Sequence, residues 1–220
     1  MNTRRKFEAD GFVVVDHVFG QSEIRLLSSR CEAEIEATVG TRNLLKFDWV
    51  KSIASTLMTH EALTTLMPNN PIAVQCNYFA KDANKNWSVS LHRDLSIPIA
   101  SKVSSNEWGG WSIKEGVLYA QPPQSVLSQM VAVRLHLEDN SAENGALELV
   151  AGSHVVDLDG AAIQNKEREL CVVKLGGVLV MRPLVLHSST KLRSGRRRVL
   201  HFIFGPDDLP DNAKWPADLR

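Results

Sequence analysis

The stretch VAVRLHLEDNSAENGALELV, Val131 to Val150, decides the fold. Its two apolar runs, Val131 to Glu138 and Ala146 to Val150, are short, rich in β-branched and aliphatic residues, and separated by Asp, Asn, Ser and Gly. That punctuation belongs to strands. The Asn144-Gly145 pair between them is a hairpin signal, because both residues tolerate the positive φ that tight primed turns require. Outward from this stretch the same pattern predicts strands over Ile72 to Ala80, Ser88 to Asp94, Cys171 to Lys174, Gly177 to Met181 and Arg198 to Phe204, with Gly, Pro, Asn or Asp between most of them. Upstream the character differs. A short strand is predicted over Phe12 to Val18. An amphipathic helix follows over Ser22 to Val39, with Ile24, Leu27, Cys31 and Ile35 near helical spacing and Gly40 as its stop. A second helix lies within Lys51 to Met67 and ends at the turn signal MPNNP. Strands with few helices between them predict a mainly β fold, a jelly-roll or barrel, with the N-terminal helices packed outside.

A chain of 220 residues with 44% hydrophobic residues suits one domain spanning 1–220. The segment from Leu95 to Ser125, which carries EWGGWS and YAQPPQ, fits neither period and reads as an insertion that serves as a lid or binding loop. Lys and Arg number 25, as do Asp and Glu, so no global field draws the protein to nucleic acid or anionic lipid. The partner expected is a small molecule, and the sequence says nothing of oligomeric state. The 3 cysteines, Cys31, Cys76 and Cys171, have no C-x-x-C spacing and read as buried small hydrophobes. In MNTRRKFEADGFVVV the apolar run is too short for a signal peptide or a membrane span, which predicts a cytoplasmic protein.

The predicted strand Ser88 to Asp94 contains His92 and Asp94, and in an extended chain residues two apart share a face, so the two side chains are placed to hold one ion. Alone the pair says little: 7 histidines and 25 acidic residues in 220 positions yield about one H-x-[DE] by chance. A facial triad of two His and one carboxylate needs a second His from elsewhere. His187 is the candidate, because it ends the buried run GGVLVMRPLVLHSST where a strand meets a polar turn. His154 sits in a Gly-rich turn that suits a local hydrogen bond, while His136 and His201 lie inside strands and read equally well as satisfied core residues. Arg198 opens RVLHFIFG, and period two puts it on the face of Leu200 and Phe202, where a buried guanidinium would need an anion. Gln75 and Asn77 alternate on VQCNYF, and Arg134 is a lone charge in an apolar strand. Each has a bland alternative, a solvated strand face or an outward salt bridge.

Taken in order, FEADGFVVVDHVF, SLHRD, NGALELVAGSH, VLHSS and RRRVLHFIFG resemble the phytanoyl-CoA dioxygenase-like branch of the non-haem Fe(II), 2-oxoglutarate-dependent oxygenases. The resemblance implies a double-stranded β-helix, the jelly-roll core of cupin-like proteins. It implies Fe(II) on His92, Asp94 and His187, with 2-oxoglutarate as cosubstrate and O2 as oxidant. It places the distal carboxylate of 2-oxoglutarate on Arg198, helped by Ser189. Asn77, Gln75 and Arg134 are candidate cosubstrate neighbours. Hydroxylation of a small metabolite, with release of succinate and CO2, is the expected reaction. Halogenating relatives carry a small residue where Asp94 stands, so oxygen insertion is expected here. The competing readings are a cupin-like metal enzyme that uses no 2-oxoglutarate, and a non-catalytic jelly-roll binding module.

Overall fold

The computed structural model describes residues 2–35, 40–156 and 166–217. It opens with a helix that the polar composition of its stretch conceals, α1 (Thr3–Asp10), in which Phe7 is the one buried residue. The Asn2 side chain accepts a hydrogen bond from the Arg4 amide at 3.0 Å, and Gly11, at φ +83°, ends the helix. Strand β1 (Phe12–Val15) leads to α2 (Gln21–Glu34), then α3 (Asp48–Thr59) and the single turn α4 (Glu61–Thr64). The expected end of the first long helix, at Val39, lies outside the described residues.

Strands then dominate: β2 (Pro71–Lys81), β3 (Val89–His92), β4 (Ile97–Pro98), β5 (Gly109–Lys114), β6 (Val117–Gln121), β7 (Val131–His136), β8 (Leu147–Leu149), β9 (Glu169–Cys171), β10 (Val178–Met181), β11 (His187–Ser189) and β12 (Arg197–Pro206). They form a five-stranded sheet in the order β1-β10-β7-β12-β2, a four-stranded sheet β3-β11-β8-β9, and a three-stranded sheet β4-β6-β5. Every pair is antiparallel. This is the mainly β jelly-roll architecture with helices outside.

The larger sheet is buried on both faces, and that fact governs everything about the site. Its outer face carries Cys76, Tyr78, Val133, Leu135, Leu200, Phe202 and Phe204, packed with Ile24 and Leu27 of α2 and Val50, Ile53 and Leu57 of α3. Its inner face carries Ala132, Leu179, Met181 and Ile203, packed with Leu147, Leu149 and Cys171 of the facing sheet. A strand covered on both sides reads as one continuous apolar run rather than as an alternation. Phe202, 0% exposed and stacked on Phe204 at 6.2 Å between centroids, anchors the outer layer. Phe202→Ala is expected to cost about 3–5 kcal/mol, from lost burial plus the cavity left behind. A urea midpoint corresponding to less than about 1 kcal/mol of loss would show that α2 and α3 do not depend on that face.

Two local expectations change. Asn144-Gly145 does not close a hairpin, because β7 and β8 belong to different sheets. The Asn144 amide donates to the carbonyls of Asp139 at 2.8 Å and Arg196 at 3.2 Å, while its oxygen accepts from the Ser141 amide at 2.8 Å. Gly145, at φ +74°, would put a Cβ 2.8 Å from the Thr190 carbonyl oxygen. The pair therefore staples a crossing between the two sheets. The stretch from Leu95 to Ser125, in which the sequence showed no period, carries all three strands of the smallest sheet. No helix among the described residues is long and apolar enough to cross a membrane.

Candidate metal centre

Antiparallel pairing of β11 with β3 sets His187 opposite His92, their ring centroids 4.2 Å apart. The β3 ladder stops at His92, and the Asp94 amide donates to the Pro183 carbonyl at 2.9 Å, which holds the aspartate just past the strand end. One ligand atom from each of His92, Asp94 and His187 lies within 4.8 Å of the others. The separations are 3.6 Å from His92 Nε2 to Asp94 Oδ1 and 3.7 Å from His187 Nε2 to Asp94 Oδ2.

Whether this group suits a metal is decided by the far side of each ring. Nδ1 of His92 lies 2.8 Å from the Ser90 carbonyl oxygen, and Nδ1 of His187 lies 2.9 Å from that of Val185. Each backbone acceptor takes the Nδ1 proton and leaves the Nε2 lone pair aimed at the other two groups, the tautomer a metal ligand needs. Burial pushes the Asp94 carboxyl upward in pKa, but His187, the contact with His92, and His201 more than offset this and hold it below the usual carboxylate range. The Asp94 contact raises the His92 pKa while burial lowers that of His187, so a metal would displace a proton from His92 and be held by two neutral imidazoles and a carboxylate, a set that suits Fe(II) and fits the facial-triad pattern.

A cavity of about 300 Å³ adjoins the triad. It is lined by alternate residues of three strands: Gln75, Asn77 and Phe79 from β2, Arg134 from β7, and Arg197, His201 and Ile203 from β12, with Ser189 from β11. The side-chain oxygens of Gln75 and Asn77 are buried without a protein donor among the described residues. His154 lies outside it, against Gly11.

Arg198 does not reach this cavity. The sequence reading placed it correctly on the face of Leu200 and Phe202, but that face is the outer one, against the helices. Its Nε donates to Glu138 and its Nη1 to Glu32 of α2, each at 2.6 Å. Arg197, one residue earlier, is the inward arginine. It is 4% exposed, donates to the Gly145 carbonyl, and stands opposite Lys81 in the β12–β2 ladder.

Three residues at the site escaped the sequence reading. Arg197 was lost in a run of cations. Lys81, 1% exposed, donates to Ser189 Oγ at 3.1 Å and to the Thr190 carbonyl at 2.9 Å. It continues the alternation of Gln75 and Asn77 along β2, which was the signal available. Burial, then the charges of Arg197 and Arg134, push its ammonium down to about 7. His201 Nε2 lies 3.7 Å from Asp94 Oδ2, and burial followed by Arg134 pushes the imidazole down to about 3, so it sits neutral beside the triad. It shares strand parity with Arg197.

The chain is similar to several solved structures. The carbocyclase SnoK, a non-haem α-ketoglutarate-dependent enzyme of nogalamycin biosynthesis, is 14% identical, with 97% of this chain and 85% of that one covered at a TM-score of 0.70. The epimerase SnoN of the same biosynthesis is 14% identical, covering 98% and 82%, also at 0.70. HygX from Streptomyces hygroscopicus, solved with iron bound, is 19% identical, covering 99% and 92% at 0.64. At these identities the likeness speaks for the fold. No curated protein sequence matches the chain. The family model described as Phytanoyl-CoA dioxygenase (PhyH) matches residues 7–200, nearly the whole chain, and with that match the protein belongs to the phytanoyl-CoA dioxygenase family of iron- and 2-oxoglutarate-dependent oxygenases.

Proposed function

We propose that this oxygenase hydroxylates a small-molecule metabolite and releases succinate and CO2, with His92, Asp94 and His187 holding Fe(II). The observation that carries the reading is the pairing, within one cavity, of a His-Asp-His group whose Nε2 atoms face inward with buried cations that lack an anion. A cupin-like enzyme without 2-oxoglutarate would have no use for those cations. HygX has been solved with nickel and 2-oxoglutarate bound, which is consistent with such a cosubstrate in this fold. A cytoplasmic location goes with the reading, since the three buried free thiols suit a reducing compartment. The zero formal net charge speaks against nucleic acid as a partner.

His92, Asp94 and His187 would hold Fe(II) by three protein ligands, which would leave room on the metal for a 2-oxoacid and O2. Bound iron supplies the oxidative decarboxylation of 2-oxoglutarate and the oxidation of a substrate C–H bond. The chain's own groups orient the reactants. Arg197, with Lys81 and Ser189, receives the distal carboxylate, in the role the family resemblance had put on Arg198. Asn77 and Gln75 offer buried acceptors to whatever lies between that end and the triad.

Adding Fe(II) and 2-oxoglutarate without oxygen is expected to give a weak visible charge-transfer band. Admitting air with the true substrate should release succinate. A folded, iron-loaded sample with neither band nor cosubstrate affinity overturns the assignment. Lys81 adds a pH signature. Near pH 8 its ammonium is mostly deprotonated, and an arriving carboxylate raises its pKa, so binding should take up as much as one proton. Affinity for 2-oxoglutarate should therefore fall as pH rises above about 7. Calorimetry in buffers of different ionisation enthalpy checks this, and Lys81→Met should abolish the uptake.

A further inference from the structure

The cavity holds more positive charge than iron and 2-oxoglutarate account for. Asp94 is the one carboxylate among the described residues that line it. Two of its cations are already answered: Arg42 by Glu115 at 3.1 Å, and Arg93 by the carbonyls of Leu184, Ser153 and Val156 at 2.8–3.0 Å. Arg197 lines the cavity beside Ser189, which accepts from Lys81, and in the reading above the distal carboxylate of 2-oxoglutarate answers this pair.

Arg134 and Lys114 remain. Arg134 is 7% exposed, and among the described residues its guanidinium has no hydrogen bond and no ion pair, only the Phe79 ring 5.4 Å away. Lys114, on β5, holds its ammonium 4.8 Å over the Tyr119 ring, again with no carboxylate partner among the described residues. Both line the cavity, from different sheets, and both lie close enough to Asp94 to feel its charge. Arg134 also feels Arg197 and Lys81 and so stands between that end and the metal side, whereas Lys114 feels Arg42 and Asp94. A divalent metal on a single carboxylate adds net positive charge beside them. Two cations, buried Arg134 and half-buried Lys114, face the cavity without an anion among the described residues, more than the near carboxylate of 2-oxoglutarate alone answers.

We propose that the substrate is itself a small organic anion, whose carboxylate or phosphoryl group is held by Lys114 with Arg134 while 2-oxoglutarate occupies the Arg197 end. The inference rests on the iron and 2-oxoglutarate reading above. A cavity of about 300 Å³ shared with the cosubstrate keeps the substrate to metabolite size.

The test uses the full chain loaded with Fe(II), anaerobic and saturated with 2-oxoglutarate. Propionate, methylphosphonate and the neutral propionamide are titrated in turn by calorimetry, and the first two distinguish a carboxylate from a phosphoryl substrate. One anion should bind saturably without displacing 2-oxoglutarate, and propionamide should not bind. Lys114→Gln should weaken the anion at least tenfold, with 2-oxoglutarate affinity within twofold of wild type, and Lys114→Arg should restore it. Lys102→Gln, an exposed lysine of the same region, should change nothing. The proposal is overturned if neither anion binds, if propionamide binds as well, if the anion displaces 2-oxoglutarate, or if Lys114→Gln leaves its affinity unchanged. Failure of 2-oxoglutarate itself to bind overturns both readings, whereas its binding without a second anion overturns this one alone.

Discussion

Asp94→Gly should bind Fe(II) more weakly by over about a hundredfold and form essentially no succinate, since that range already follows from losing mere supporting groups around a metal. Removing the carboxylate takes away the only negative charge lining the cavity among the described residues and leaves the imidazoles of His92, His187 and His201 around an uncompensated cation. The fold should survive, because Asp94 is tied to the scaffold through its backbone amide, which bonds Pro183 whatever the side chain. Arg93→Lys is the neighbouring comparison. Arg93 binds three carbonyls away from the triad, so iron affinity should hold while local stability falls by about 1 kcal/mol. Full succinate formation by Asp94→Gly would remove the triad assignment.

The second large effect separates two adjacent arginines. Arg197→Ala should weaken 2-oxoglutarate binding by about 2–5 kcal/mol, the range for deleting one partner of a desolvated charge pair, with iron affinity nearly intact. Arg198→Ala should leave cosubstrate binding unchanged and lower folding stability by about 1–3 kcal/mol, because Glu138 loses the Arg198 Nε donor, keeping only the backbone amide, and Glu32 of α2 loses its 2.6 Å partner. Glu138 keeps Arg196 at 3.0 Å, which limits the loss. Calorimetric titration and urea denaturation of the two variants read the two effects independently. Equal cosubstrate affinities would show that neither arginine, or both, reach the ligand.

The strands of this protein were legible because turn-forming residues isolate short apolar runs, and the candidate triad because His92 and Asp94 are close in sequence while His187 ends a buried run. Helix α1 was not, since only Phe7 of its eight residues is buried and a polar surface helix leaves a weak apolar period. The Asn144-Gly145 turn was read correctly as a turn and wrongly as a hairpin. Its local chemistry is the same whether the next strand pairs with the last or crosses to another sheet.

The arginines mark the boundary between the two sources of information. Alternation along β12 settles, from sequence alone, that Arg197 and Arg198 face opposite ways, and that Arg198 travels with Leu200 and Phe202. It does not say which face is inside. A strand with one wet face would have revealed it, but every residue from Arg197 to Gly205 is buried, so hydrophobicity carries no sign. Only the tertiary packing decides: α2 and α3 cover the face of Leu200, Phe202 and Phe204, and Glu32 and Glu138 meet Arg198 there. The opposite face closes on the smaller sheet, where Arg197 and Arg134, with Lys81 bonded to Ser189, surround a cavity with too few anions of its own.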